Sequence, residues 1–127
     1  MSGSEVFVWT PQPGPQTRMV SACEFELLAW QRERRIATMA YCPLDEGRLP
    51  AHPALGPIAA RHGATPAQVA LAWLVGRGDV IAIPKAAHVA RVEENAAAAS
   101  LRLDAQDLAA LDRAFPPPGG RTRLAMV

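Results

Sequence analysis

Apolar and polar positions alternate along the chain between two kinds of segment. From Ala22 to Arg34, Phe25 and Leu28 with Leu27 and Ala29 lie to one side, while Glu24, Glu26, Arg32, Glu33 and Arg34 form a wet face, which predicts a helix. Ile36 to Tyr41 is an apolar run ended by Pro43, too short for a helix and suited to a buried strand. A helix is expected from Pro53 to His62, stopped by Gly63. Thr65-Pro66 then reads as an N-cap and first helical position, opening a helix whose stripe is Val69, Trp73 and Leu74 and which ends before Gly76 and Gly78. Val80 to Ile83 is β-branched at three of four positions and closed by Pro84, and it is the clearest strand in the chain. Val89 to Ala99 is Ala-rich, which favours helix but leaves little bulk to pack. Asp104 caps a last helix, with Asp107 in its first turn, Leu108, Leu111 and Phe115 as its buried stripe, and Pro116-Pro117-Pro118 as its stop.

Helix, strand, helix pair, strand, helix pair is the rhythm of parallel α/β structure, in which each strand returns through a helical crossover. The prolines Pro11, Pro13 and Pro15 with Gly14 make residues 1–21 an extended or disordered segment, so the packed unit is expected over residues 22–127. A (β/α)8 barrel needs roughly 250 residues, and this chain has 127.

Thirteen basic and twelve acidic residues leave a net charge of +1, which gives no field for nucleic-acid phosphates or an anionic membrane surface. No apolar stretch approaches the roughly twenty residues of a membrane span, and Met1 to Val20 has no basic region ahead of its apolar run, so a cytoplasmic location is expected. Cys23 and Cys42 are expected as reduced thiols, and with His52 and His62 they lack the paired spacing of a zinc site, so no metal is expected. Neither glycine signature of a phosphate-binding loop occurs.

Two segments carry a family resemblance: Ala40-Tyr41-Cys42-Pro43-Leu44, and Ile81-Ala82-Ile83-Pro84-Lys85 followed by Arg91 and Asn95. Together with the stretch from His52 to Val75 and the DLAALDRAFPPP segment, their order and spacing resemble the C-terminal, cofactor-binding part of the aldo-keto reductases. The resemblance covers about Cys23 to Leu124. It implies a partial (β/α)8 TIM barrel, about the last two or three βα units plus the C-terminal helix, and NADP(H) as the cofactor.

Residue by residue, the resemblance implies that Tyr41 stacks on the nicotinamide and that Cys42 and Leu44 belong to the loop around the pyrophosphate. Cys42 stands where the family usually has serine, and a thiol is the weaker donor. Asp45 and Glu46 would oppose phosphates if they face inward. Lys85 and Arg91 match the grip on the adenosine 2′-phosphate, and Glu94 and Asn95 match positions that approach the adenine. Ala86 and His88 depart from the family's polar residues there. Read without the family, Tyr41 is a strand-end aromatic on a core, and Lys85 and Arg91 are solvated surface charges.

The family reduces carbonyls with a tyrosine proton donor assisted by lysine, aspartate and histidine. This chain contains one tyrosine and one lysine, both already matched to the cofactor motifs, so no catalytic residue is assigned. Val6 to Trp9 is a candidate remnant of an earlier barrel strand, with Glu5 where the family has a glutamine. Two functions follow as expectations. The first is a reductase part with a weak or vestigial NADP(H) site and no carbonyl reduction alone. The second is a nonenzymatic module that self-associates as a homo-oligomer or binds a missing N-terminal half-barrel, because an opened barrel exposes strand edges and its apolar inner face.

Overall fold

The computed structural model describes residues 6–9 and 25–116. Its elements are β1 (Val6–Trp9), α1 (Phe25–Glu33), β2 (Ala37–Tyr41), α2 (Leu55–His62), α3 (Pro66–Val75), β3 (Val80–Ile83), α4 (Val89–Ala97) and α5 (Ala105–Ala114). Short 3-10 turns at Asp45–Gly47 and Ala98–Ser100 follow β2 and α4. The strands form a parallel sheet in the order β1-β2-β3. Val6–Trp9 pairs with Ala37–Ala40, so the sheet begins ahead of residue 22, where the packed unit was expected to start. The rest of residues 1–21, and the expected helix start at Ala22, lie outside the described residues.

The strand pleat sorts the sheet into two unlike faces. Thr38 and Ala40 are buried and stand opposite Val80 and Ala82, which pack against the core. On the other face Ile81 is 45% exposed and Ile83 42%. Among the described residues, helices therefore cover one side of β3 and not the other. A buried bond from Thr38 Oγ1 to Gln31 Oε1 (3.0 Å) and an ion pair from Arg32 to Asp79 (2.8 Å) fasten the end of α1 to β2 and to the entry of β3.

The centre of the covered side is α3. Its sequence predicts an amphipathic stripe, but Val69 through Leu74 are all buried, because α2, α4 and the sheet enclose it together. Both predicted ends hold. Thr65 and Gln68 form a reciprocal capping box at the start, and the chain leaves through Gly76. α2 starts at Leu55, two residues after Pro53, since Ala51 to Ala54 form turns in which His52 Nδ1 accepts the Ala54 N–H. Gly63 ends α2 at φ +58°, the left-handed conformation that a Cβ penalises.

In α5 the rotation differs from the expected stripe. Leu111 is fully buried, but Leu108 is 41% exposed, and the buried partner one turn before Leu111 is Asp107. A single carboxylate decides this. Asp107 accepts the Asp104 N–H (2.9 Å) and the His62 Nε2–H (2.6 Å), and it pairs with the Arg61 guanidinium. Phe115 lies between Trp73 and His52, with ring centroids 5.5 and 4.5 Å away. The C-terminal helix is thus held to α2 by charge at one end and to α3 by aromatic contact at the other.

Burial pushes the Asp107 carboxyl up, but the Asp104 N–H, His62 and the Arg61 charge outweigh it and hold the group below the usual carboxylate value. Its contribution to stability is present above about pH 4 and is lost as pH falls through the lowered folded value. Asp107→Ala should cost about 3 kcal/mol, the lower end of the range for a broken buried pair because Arg61 is partly exposed. Urea unfolding at pH 7 measures the loss. The same titrations repeated down to pH 3 should show a flatter pH dependence for Asp107→Asn than for the wild type.

Candidate functional site

Parallel pairing brings the exits of β2 and β3 to one end of the sheet, with Tyr41 opposite Ile83. Loops at the C-terminal ends of parallel strands are where such folds place ligands. Here the loop after β2 and the loop after β3, with the first turns of α4, enclose a groove of about 700 Å³. Cys42, Leu44, Lys85, Arg91, Glu94 and Asn95 all line it. These are six of the seven residues named from sequence, drawn from two segments about forty positions apart. The seventh, Tyr41, is the last residue of β2, next to Cys42 in sequence, and the placement of its ring lies outside the described part of the structure.

The loop after β2 is shaped by strained backbone. Cys42, Asp45 and Glu46 have φ of +54°, +49° and +53°, and Gly47 follows at +89°. Each non-glycine residue there costs about 1–2 kcal/mol relative to a right-handed conformation. Backbone bonds from Asp45 N to Cys42 O (3.0 Å) and from Gly47 N to Leu44 O (3.0 Å) close the turns. Arg48 Nη2 reaches Asp45 Oδ1 at 2.7 Å. Asp45 is 3% exposed and does not line the groove, so of the two carboxylates expected to oppose an anion, Glu46 alone faces it.

The loop after β3 supplies the cations. Lys85 is exposed and forms no ion pair among the described residues. Arg91 lies one turn into α4, its side chain 67% exposed, with Nη1 donating to Glu94 Oε2 at 2.6 Å. Asn95, four residues on, is half-buried on the same helical face. Hydrogen bonds from Thr65 and Arg91 hold the Glu94 carboxyl below its usual value, against a smaller upward push from burial, so it is ionised at neutral pH. No side chain caps α4; His88, its N-cap residue, is exposed. An exposed ammonium, an accessible guanidinium fork and a side-chain amide on one wall suit a phosphorylated, hydrogen-bonding ligand. Leu44, Pro84 and Ala86 add apolar surface to the same groove.

Two features here have only partial signals in the sequence. Thr65-x-x-Gln68 matches the capping-box pattern, but its link to Glu94, 29 residues away, does not follow from any local rule. The Asp45–Arg48 pair stands at helical spacing in a segment that is not a regular helix. Among the described residues no group of three His, Cys, Asp or Glu side chains could hold a metal ion, and no helix is long and apolar enough to cross a membrane.

The fold and groove define a parallel α/β unit whose strand-exit groove suits a phosphorylated ligand, and comparison with known proteins gives the family. The model of the Aldo/keto reductase family matches residues 16–115. The chain belongs to that family. It is 42% identical over 109 residues to methylglyoxal reductase YeaE of Escherichia coli K12, covering 82% of this chain and 38% of that protein. Methylglyoxal reductase DkgB of Escherichia coli O157:H7 is 39% identical over 90 residues, or 68% of this chain and 33% of that one. Among solved structures, an aldo/keto reductase from Klebsiella pneumoniae in complex with NADP and acetate superposes with a TM-score of 0.79 at 36% identity, over 95% of this chain and 44% of its own. A Klebsiella pneumoniae aldo-keto reductase in complex with NADPH gives 0.78 at 38% identity, over 93% and 42%. The chain thus spans about two fifths of the length of these relatives.

Glu46 is the groove carboxylate that no described residue neutralises through an ion pair. Glu46→Gln should tighten binding of inorganic pyrophosphate by about two- to fivefold at low salt, and the gain should fade near 0.5 M salt as screening shortens its reach. Isothermal titration at the two ionic strengths measures both effects.

Proposed function

We propose that this chain is the cofactor-binding part of an NADP(H)-dependent aldo-keto reductase, the last three βα units of the barrel with its C-terminal helix, and that its 127 residues alone do not reduce carbonyls. The observation that carries the reading is the convergence of six family-matched residues from two separate segments on one groove at the strand exits. The NADP and NADPH bound by the two Klebsiella proteins support the choice of cofactor.

In this reading Lys85 and the free face of Arg91 hold the adenosine 2′-phosphate, Asn95 and Glu94 border the adenine, and Cys42 and Leu44 border the pyrophosphate. Tyr41 takes the nicotinamide. The cofactor supplies hydride chemistry when bound. The chain's own residues bind and orient it and hold no assigned proton donor, since the single tyrosine and single lysine serve the groove. Cys42 in place of serine and Glu46 on the rim make the site a weak one. The cellular setting is the cytoplasm.

A second reading, a nonenzymatic self-associating module, is favoured by the exposure of Ile81 and Ile83 on β3, which is an edge strand of the sheet. Burying about 400 Å² of such surface offers on the order of 10 kcal/mol. A second copy of the chain, or the other half of a barrel, would cover it.

Fluorescence titration should show NADPH binding more tightly than NADH, by roughly tenfold at low salt, with Arg91→Ala removing most of the difference. No NADPH-dependent aldehyde reduction should accompany it. Equal affinity for the two nucleotides, or turnover by the purified chain, would overturn the assignment. For the second reading, light scattering should detect a dimer or larger species that Ile81→Lys reduces to monomer; a wild-type monomer at high concentration counts against it.

A further inference from the structure

We infer that Thr65 and Gln68, at the start of α3 and outside the groove, are positioning residues that set its preference for a 2′-phosphate by fixing Glu94 against Arg91. The inference rests on the nucleotide reading above. Its evidence is a continuous set of bonds from one helix cap to the next helix. Thr65 Oγ1 donates to Glu94 Oε1 at 2.5 Å, and the other carboxylate oxygen accepts from Arg91 Nη1 at 2.6 Å. Gln68 Nε2 donates to the Glu94 backbone oxygen at 3.0 Å. Within the cap, Gln68 Oε1 accepts the Thr65 N–H at 2.9 Å and Thr65 Oγ1 accepts the Gln68 N–H at 3.2 Å.

Each of these bonds removes a freedom that would otherwise blur the groove. An arginine on an exposed helix face samples many rotamers, and ordering it is a cost charged against any ligand it grips. Glu94 pre-orders Arg91, but a glutamate has the same problem unless something holds it. The Thr65 hydroxyl does so, engaging Oε1 and directing Oε2 at Nη1. Gln68 fixes the backbone of the same turn. Arg91 keeps its Nε and Nη2 donors for an incoming anion, and its side chain is 67% exposed to receive one. Without the Thr65 donor, Glu94 is free either to wrap both oxygens around the guanidinium and cancel its charge or to swing away and release it. Both outcomes lower affinity for a 2′-phosphate, and any change where Glu94 borders the adenine falls equally on nucleotides with and without that phosphate.

Capping and positioning by Thr65 are separable. Aspartate caps a helix at least as well as threonine but cannot donate to a carboxylate, and glycine caps nearly as well without any side chain. Serine keeps both functions. The probes are 2′,5′-ADP, which carries the 2′-phosphate, and 5′-AMP, which lacks it, titrated against the full chain by calorimetry. The wild type and Thr65→Ser should prefer 2′,5′-ADP. In Thr65→Asp and Thr65→Gly the ratio of 2′,5′-ADP affinity to 5′-AMP affinity should fall about fivefold. Thermal unfolding of each variant reads folding independently, so either variant serves if the other folds poorly. A Thr65→Asp or Thr65→Gly chain that folds and keeps the wild-type preference overturns this inference and leaves the nucleotide reading standing. A wild type without any preference overturns the nucleotide reading, and this inference with it.

Discussion

The parallel pairing of β2 with β3 is the constraint on which the rest depends. An antiparallel pair would have sent the two loops to opposite ends of the sheet; a parallel pair puts both strand exits on one side and requires a long crossover to do it. The crossover here is α2 and α3, with α3 packed on β3, and the strands align Thr38 against Val80 through Tyr41 against Ile83. Cys42 and Lys85 become neighbours around one groove for that reason alone.

Charge then does what apolar packing cannot, because the helices around the core are short and α4 has no buried residue. α4 is tied to α3 through Glu94, and α5 to α2 through Asp107; in each case a carboxylate from one helix meets a hydroxyl, an imidazole or a guanidinium from another. Such pairs fix orientation more than they add net stability, since desolvation offsets much of the attraction. Orientation is what the groove needs. Arg91 and Asn95 stand on a helix of small side chains whose rotation apolar contacts would leave loosely set.

The groove loop shows the converse case, in which local geometry is unfavourable and is held from outside. Three non-glycine residues at positive φ within five positions persist because Asp45 is buried and bound to Arg48 and because Leu49, just beyond, is buried in the core. The open face of β3 is unfavourable in another way. Its isoleucines, Ile81 and Ile83, are large apolar side chains left more than two-fifths exposed.

Much of this was legible in the residues themselves. The strand Val80–Ile83, the cap at Thr65, the stop at Gly63 and the cap at Asp104 follow from β-branching, proline and glycine placement and short polar side chains, all of which act within a few positions. The candidate site was legible too, because two motifs in the right order resemble a known family. Tertiary structure decided the rest. It set the register of the candidate strand Val6–Trp9 against β2, turned Asp107 rather than Leu108 inward, took Asp45 out of the groove and joined Thr65 to Glu94. Each of those outcomes depends on a partner at least as far away as the next element, and the energy of such a contact is set by what the fold brings near it, which no local pattern of side chains encodes.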